Sequence, residues 1–339
     1  MPKRHANRTG DLESLFLRLE ELVLANSGKD EFEEIYKLLI AKLWDERSGR
    51  PARFRVHGDE GATAEAVRSL LREAGKAWPG VAAPPIRMLP TLVEPNTLAS
   101  APAEAGIAFG LEEYRLEPVG LDLLGADPHF LMFGDAESGK TNLLRAVMQG
   151  LRGRYHAQVL QFLVVDYRRT LIDAADGPDI FAYACTAPMV QDGLARLREI
   201  VVSRLPSSSM TREDLLKRNW WRGAHYVLIV DDYDLLVSPA GNPLSPLVEL
   251  LPQGRDIGLH LVLARRVGGT ARTSFEPVFQ RVKELGTPGL ILSGDPQEGP
   301  LLGAQRAALL PPGRGYLVRP HRRTCLVQTV FCPPARLER

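Results

Sequence analysis

The sequence predicts an α/β protein with a mainly parallel central sheet, preceded by a small helical region. Three features of the chain lead to this class. Short apolar runs alternate with helical patterns after about residue 105, apolar side chains recur at helical spacing within residues 1–80, and a glycine-rich loop separates one apolar run from an amphipathic helix. Strands that alternate with helices are typical of βαβ units, whose parallel sheets are covered on both faces.

Four apolar runs are predicted to be buried strands of this sheet. They read HFLMF at 129–133, VLQFLVVD at 159–166, YVLIVDD at 226–232 and LHLVLARR at 259–266. Helical patterns follow the first two runs, from about Thr141 and at about 188–205. Because these runs are unbroken rather than alternating, we expect strands that are buried on both faces.

The segment before the predicted sheet differs in composition. Residues 1–80 form the helical region, and its stretch 11–47 carries ten acidic and five basic side chains. The predicted helices centre on Leu12–Val23, Phe32–Leu43 and Val67–Ala74. An acidic helical adaptor or docking piece is the expectation for this region.

A proline-rich stretch separates the helical region from the predicted sheet. Residues 81–105 contain repeated prolines, which are unfavourable in helix interiors and central strands, so a linker or an extended strap is expected. Residues 106–333 form the α/β domain and 334–339 a tail.

Composition limits the classes of function. The 339 residues carry a net charge of +1, so DNA is a possible partner that the charge does not indicate. Arginine outnumbers lysine by 34 to 8, which is typical of a GC-rich genome. The three cysteines form no metal-binding or disulfide pattern, and no apolar run approaches the ~20 residues of a membrane helix. We therefore expect a cytoplasmic protein, with any membrane association made through partners.

The strongest motif is a phosphate-binding loop. The residues from Gly134 to Thr141 match G-x-x-x-x-G-K-[ST] and stand between a predicted strand and a predicted helix. In such loops backbone N–H groups face the phosphates, the lysine reaches the β and γ phosphates and the hydroxyl serves Mg²⁺. The predicted ATP-binding residues are Gly134, Asp135, Ala136, Glu137, Ser138, Gly139, Lys140, Thr141 and Asn142.

Two aspartates end the third apolar run. Asp231 follows it directly and is the predicted Mg²⁺ partner, together with Thr141. Asp232 stands where many P-loop ATPases have a glutamate that orients the attacking water. Aspartate is one methylene shorter, so we expect Asp232 to be a weak catalytic residue.

Five blocks, read together, point to a known family. They are DPHFLMFGDAESGKTNLLR, VVDYRRTL, YVLIVDDYDLL, LLPQGRDIGLHLVLARR and LPPGRGYLVR, spread over residues 127–319. In this order they resemble the FtsK/SpoIIIE ATPases, most closely the C-terminal ATPase domain of the EccC proteins of type VII secretion. The resemblance implies a RecA-like core that binds ATP and Mg²⁺. It also implies assembly with other ATPase domains or with itself, in rings or tandem arrays, and recognition of small helical secretion substrates.

The chain departs from the family pattern near the catalytic position. DNA-pumping relatives have a polar sensor, commonly glutamine, where this chain has Arg265 and Arg266, and arginine cannot accept a hydrogen bond from water. Their separate winged-helix domain and the membrane helices of EccC chains have no counterpart in these 339 residues. Arg314, within PPGRG, is a candidate arginine finger for a neighbouring nucleotide.

These observations predict an ATP·Mg²⁺-binding module that hydrolyses ATP slowly or not at all and uses the nucleotide to order a partner-binding surface. Two alternatives stay open. One is an active ATP-driven translocase of DNA or protein. The other is a scaffold in a DNA-modification or defence system, because the N-terminal 40–70 residues faintly resemble the helical N-terminus of adenine-specific DNA methylases.

Overall fold

The computed structural model describes residues 31–49, 51, 53–55, 60–77, 88–99, 101, 106–217, 220–238, 241–269 and 276–335. The chain divides into two compact units, residues 1–85 and residues 86–339. The predicted helix centred on Leu12–Val23 lies outside the described residues. Within the described residues, no helix combines the length and the apolar character that a membrane crossing requires.

The described part of the smaller unit is a pair of helices. Helix α1 spans Glu31–Arg47 and helix α2 spans Glu60–Ala77, and the two pack against each other with Ala41 and Leu70 fully buried. The buried carboxylate of Asp45 accepts hydrogen bonds from the backbone N–H groups of Arg53 and Phe54, at 2.7 and 2.8 Å. The small helical region predicted before the sheet is therefore confirmed over these residues.

The larger unit is built on a ten-stranded sheet, counted over its described residues. The sheet order is β2-β1-β12-β11-β8-β3-β7-β6-β4-β5, and β9 and β10 form a separate hairpin. The strands are β1 Ile107–Glu112, β2 Pro118–Leu121, β3 His129–Phe133, β4 Leu160–Val165, β5 Ile180–Ala184, β6 His225–Val230, β7 Leu259–Arg265, β8 Gly289–Leu292, β9 Pro300–Leu302, β10 Gln305–Arg306, β11 Arg314–Val318 and β12 Cys325–Thr329.

The half of the sheet from β8 to β5 is parallel, and the half from β11 to β2 is antiparallel. The four predicted strands are β3, β4, β6 and β7, all in the parallel half. Strands β3 and β7 are buried along their whole length, which explains their unbroken apolar sequences. Parallel pairing places the ends of these strands at one edge, where the loops that follow them meet.

Helices cover both faces of the sheet. Helix α3 covers one face, where its Leu143 and Val147 pack with Phe130, and helices α4 and α8 cover the other, where Leu197 and Phe279 share a core with other strand residues. Over its described residues the helices of this unit are α3 Lys140–Arg152, α4 Ala187–Val202, α5 Arg212–Lys217, α6 Tyr233–Leu236, α7 Gly254–Ile257 and α8 Pro277–Glu284. The predicted α/β class with a mainly parallel sheet is confirmed.

Part of the proline-rich stretch packs against the sheet as a strap. Residues 88–99 include a parallel bridge between Val93 and Val330 and a 3₁₀ turn at Pro95–Leu98. Val93 and Leu98 are buried in the core of the larger unit. This stretch is therefore part of the folded unit rather than a free linker over these residues.

Candidate functional site

The phosphate loop runs from the end of β3 to the start of α3. Gly139 has φ of 107°, a conformation that side chains rarely adopt, and a Cβ there would lie 3.0 Å from the backbone nitrogen of Gly313. A Cβ on Gly134 would lie 2.3 Å from Oγ of Ser138. Both motif glycines are thus required by the way the loop closes on itself and on the segment before β11.

Lys140 lies inside the curve of the loop. Its Nζ donates to the carbonyl oxygens of Gly134 and Asp135, at 2.7 and 2.9 Å, and the residue is only 8% exposed. Burial lowers the pKa of Lys140, while Asp232 and Asp231 oppose this shift by favouring the charged amine. The amine is therefore already positioned within the loop where the motif places phosphate oxygens.

Thr141 and Asp231 meet across the predicted metal position. Oγ1 of Thr141 donates to Oδ2 of Asp231 at 2.8 Å, although the two residues are 90 positions apart. Asp231 is buried, and burial raises its pKa against the hydrogen bonds that Thr141 and Thr170 donate. A hydroxyl and a carboxylate at this distance form the oxygen donor set that Mg²⁺ prefers.

Asp232 is held by an ion pair. Its Oδ2 lies 2.8 Å from Nε of Arg168, whose side chain extends from the loop after β4. Asp232 also has a left-handed backbone, with φ of 50° and ψ of 56°. The carboxylate at the predicted water-orienting position is therefore paired with a cation rather than free.

The remaining predicted loop residues divide by exposure. Ala136 and Glu137 are exposed, and Glu137 has φ of 60°. Asp135 accepts a bond from the backbone N–H of Asp295 at 3.2 Å. The Ser138 hydroxyl is buried with no hydrogen-bond partner among the described residues, so a polar atom inside the loop is available for a ligand.

The side chain of Asn142 bonds the segment after β12. Its amide nitrogen donates to the carbonyl of Val330 at 2.7 Å, and its amide oxygen accepts the N–H of Cys332 at 2.8 Å. Both polar groups therefore hold the segment after β12 against helix α3. Asn142 stays a predicted ATP-binding residue through its backbone, since both side-chain groups bond Val330 and Cys332.

Arg314 is anchored within its own chain. Its Nε donates to the side chain of Gln328 at 3.0 Å, and its Nη2 donates to the carbonyls of Leu89 and Pro90 at 3.1 and 2.8 Å. The guanidinium thus ties the strap to the sheet. Service as an arginine finger would require breaking these bonds, and the role of Arg314 as a finger for a neighbouring nucleotide stays a prediction.

The two arginines at the sensor position have different surroundings. Arg265 is fully buried, pairs with Asp234 at 3.1 Å and stacks over Phe279. The backbone N–H of Arg266 donates to the same Asp234 at 2.8 Å. Both residues fix the end of β7 next to α6, and neither side chain supplies an acceptor for water.

Thr170 joins the site although the sequence did not identify it. Its Oγ1 lies 3.1 Å from Oδ2 of Asp231 and 3.3 Å from Oδ1 of Asp166. The signal that could have found it is its place in the loop after β4, because β4 pairs with β6, the strand that Asp231 follows.

The family model of the FtsK/SpoIIIE family matches residues 89–205, which include the phosphate loop and the loop after β4. This chain carries an FtsK/SpoIIIE-family domain. The resemblance predicted from the five sequence blocks is thereby confirmed, and relatives of the domain agree. The ESX secretion system protein EccC of Thermomonospora curvata is 43% identical over 281 residues, which are 82% of this chain and 21% of that protein.

Two solved structures of that EccC show the same fold as this FtsK/SpoIIIE-family domain. One contains ATPases 2 and 3 with a signal sequence peptide, at 42% identity and a TM-score of 0.74, over 82% of this chain and 50% of that one. The other is its cytoplasmic domain, also 42% identical, with a TM-score of 0.73, over 82% of this chain and 33% of that one. This chain spans about a fifth of the full-length relative.

Proposed function

We propose that this FtsK/SpoIIIE-family domain binds ATP·Mg²⁺ and hydrolyses it slowly or not at all, as a nucleotide-gated module of a type VII secretion-like machine. The observation that carries the proposal is a contrast within one site. The hydroxyl of Thr141 donates to Asp231 at 2.8 Å, where Mg²⁺ is predicted to bind. The carboxylate of Asp232, at the predicted water-orienting position, is instead paired with Arg168 at 2.8 Å.

The binding half of the proposal rests on donor chemistry. Lys140, the loop N–H groups and the unpartnered Ser138 hydroxyl would hold the phosphates, and Thr141 with Asp231 would hold Mg²⁺. The cation would neutralise phosphate charge when bound. The glycines at 134 and 139 let the loop close tightly on Ser138 and Gly313, which fixes the path of its backbone. These residues fit the nucleotide and the metal that the family implies.

The turnover half rests on Asp232. Oδ2 of Asp232 already accepts from the Arg168 guanidinium at 2.8 Å, which leaves this oxygen less available to the attacking water. No alternative acceptor comes from Arg265 or Arg266 at the end of β7, since arginine donates only. We expect ATP to remain bound for many times the duration of a normal catalytic cycle.

Bound nucleotide would serve to order an interface. A ligand that binds only the folded state stabilises it by about 4 kcal/mol at a thousandfold excess over Kd, which is sufficient to bias a two-state surface. One of the related EccC structures contains two ATPases together with a signal sequence peptide. The proposed partners are accordingly other ATPase domains or further copies of this one, together with small helical secretion substrates. The proposed location is the cytoplasm, because the other related structure is a cytoplasmic domain.

The test measures nucleotide binding and turnover on the wild type, on Lys140→Ala and on the control Lys217→Ala, whose lysine lies in an exposed surface pair with Glu213. We expect ATP·Mg²⁺ to raise the thermal midpoint of the wild type and the control but not of Lys140→Ala, with stoichiometric binding and little phosphate release. No shift in the wild type would overturn the proposal. Rapid turnover that double-stranded DNA stimulates and salt suppresses would instead assign a DNA motor.

A second experiment tests the cause of slow turnover. Replacing Arg168 by Ala and Asp232 by Glu in one protein frees the carboxylate and restores the missing methylene. We expect single-turnover hydrolysis to rise at least about tenfold, because general base groups contribute about 10²–10⁴ in rate. Arg212→Ala, on exposed helix α5, is the matched control. An unchanged rate of hydrolysis in the double variant would refute the proposal that the pair of Arg168 with Asp232 slows turnover.

A further inference from the structure

The loop after β4 contacts both aspartates that follow β6. Arg168 in this loop pairs with Asp232, and Thr170, two residues later, donates its hydroxyl to Asp231. We propose that Thr170 is a positioning residue for the metal, which holds the Asp231 carboxylate and thereby sets the Mg²⁺-dependent part of the ATP affinity. This inference rests on the proposed function.

Most acceptor sites of the Asp231 carboxylate are already occupied by donors. An ionised carboxylate has about four lone-pair sites. Oδ1 accepts the backbone N–H of Asp232 at 3.0 Å, and Oδ2 accepts the hydroxyls of Thr141 and Thr170 at 2.8 and 3.1 Å. The one hydroxyl proton of Thr170 can also reach Oδ1 of Asp166, at the longer distance of 3.3 Å. When it is donated to Asp231, three donors hold both carboxylate oxygens, which restrains rotation of the group and leaves about one acceptor site for a cation or its bound water.

Hydrogen bonds also fix the backbone around Thr170. The carbonyl of Thr170 accepts a bond from Nη2 of Arg145 at 2.9 Å, and the next backbone N–H, from Leu171, donates to Oδ2 of Asp166 at 2.7 Å. Asp166 is buried and also accepts the hydroxyl of Tyr183 at 2.9 Å. The backbone on both sides of the Thr170 side chain is therefore fixed before any ligand binds, which is what a positioning residue requires.

Helix α3 connects this anchoring to the phosphate loop. Arg145 lies one turn after Thr141 on the same helix, and its guanidinium pairs with Asp173 at 2.9 Å while holding the Thr170 carbonyl. The helix that begins at the phosphate loop thus fixes the loop that supports the metal carboxylate. A hydroxyl held in this way can orient Asp231 without contacting the nucleotide itself.

The test compares the Kd of ATP with Mg²⁺ and with EDTA, for the wild type, Thr170→Val, Thr170→Ser and the control Thr186→Val, whose threonine is exposed before α4. Valine keeps the shape and removes the hydroxyl. We expect the gain in affinity from Mg²⁺ to fall about tenfold or more in Thr170→Val, in line with losses of metal affinity on removal of outer-shell partners. The Kd in EDTA stays unchanged, and Thr170→Ser restores the gain.

The outcomes separate the two proposals. If the wild type gains affinity from Mg²⁺ and Thr170→Val gains as much, the role of Thr170 is overturned and the proposed function stands. Equal losses in Mg²⁺ and EDTA would reduce Thr170 to a structural role and also overturn it. If the wild type binds no ATP under either condition, both proposals fall. Thermal unfolding without ligand verifies folding, and Thr170→Ala carries the same prediction should the valine variant not fold.

Discussion

The ion pair between Arg145 and Asp173 allows a quantitative prediction about the support of the site. The two side chains are only 6% and 7% exposed, and Arg145 makes two bonds to Asp173 at 2.9 and 3.1 Å besides its bond to Thr170. In Arg145→Met, Asp173 stays buried without a cationic partner from helix α3 and keeps the N–H of Ala335 as a donor. The free energy of unfolding is expected to fall by about 3 kcal/mol, because an uncompensated buried charge costs about 3–5 kcal/mol.

Protonation of Asp173 sets an upper limit on the electrostatic part of this loss of unfolding free energy. Asp173 can neutralise itself in the variant, and protonating a carboxyl of ordinary pKa at pH 7 costs about 4 kcal/mol. The expected loss therefore lies at about 3 to 4 kcal/mol. Arg145→Met with Asp173→Asn in one protein should lose less than Arg145→Met alone, since both charges are then removed together.

The assay is urea unfolding followed by tryptophan fluorescence. Trp44 and Trp78 are replaced by phenylalanine in every protein, so that Trp220 and Trp221 report on the larger unit. Lys217→Met, in a surface pair whose side chains are 58% and 73% exposed, serves as control and should change stability by less than about 0.5 kcal/mol. A loss below about 1 kcal/mol in Arg145→Met would show that the pair is not desolvated as described.

Two further predictions concern His225 at the start of β6 and the segment after β12. Burial, assisted by Arg204, lowers the pKa of His225 to about 4, so the folded state binds fewer protons than the unfolded one between about pH 6.5 and 4. Stability should thus fall by up to about 3 kcal/mol as the pH drops through this window, and urea midpoints for His225→Gln should fall less steeply; equal slopes would contradict this origin. Asn142→Ala removes bonds of 2.7 and 2.8 Å and should lower the unfolding free energy by about 1–2 kcal/mol while the Kd of ATP changes less than twofold. A large loss of ATP affinity at unchanged stability would show that the Asn142 side chain contacts the nucleotide.

Much of the parallel half of the sheet is predictable from local pattern. Strands buried on both faces, such as β3 and β7, are mostly apolar, so they stand out in the sequence. The antiparallel strands β1, β2, β11 and β12 are partly exposed, and their mixed composition gives a weaker signal. Their place in the sheet is decided by long-range pairing, such as that of β1 with β12.

The phosphate loop by itself was determined by the sequence. Its function depends on backbone conformation over eight consecutive residues, and Gly134, Gly139, Lys140 and Thr141 encode that conformation locally. The position of Asp231 could be predicted in the same way, because an aspartate directly after a buried strand lies at the sheet edge.

Only the tertiary structure decided what surrounds those residues. The pairs of Arg168 with Asp232 and of Thr170 with Asp231 join positions 61 to 64 residues apart, and they exist because β4 lies beside β6. The same holds for Arg314 and Asn142, whose partners come from the strap and from the segment after β12. Side chains of arginine, threonine and asparagine have many possible partners, and strand order selects among them. The sequence therefore determined that the domain has a phosphate-binding loop with an aspartate beside it, and the packing of neighbouring strands determined which side chains bond the carboxylates next to that loop.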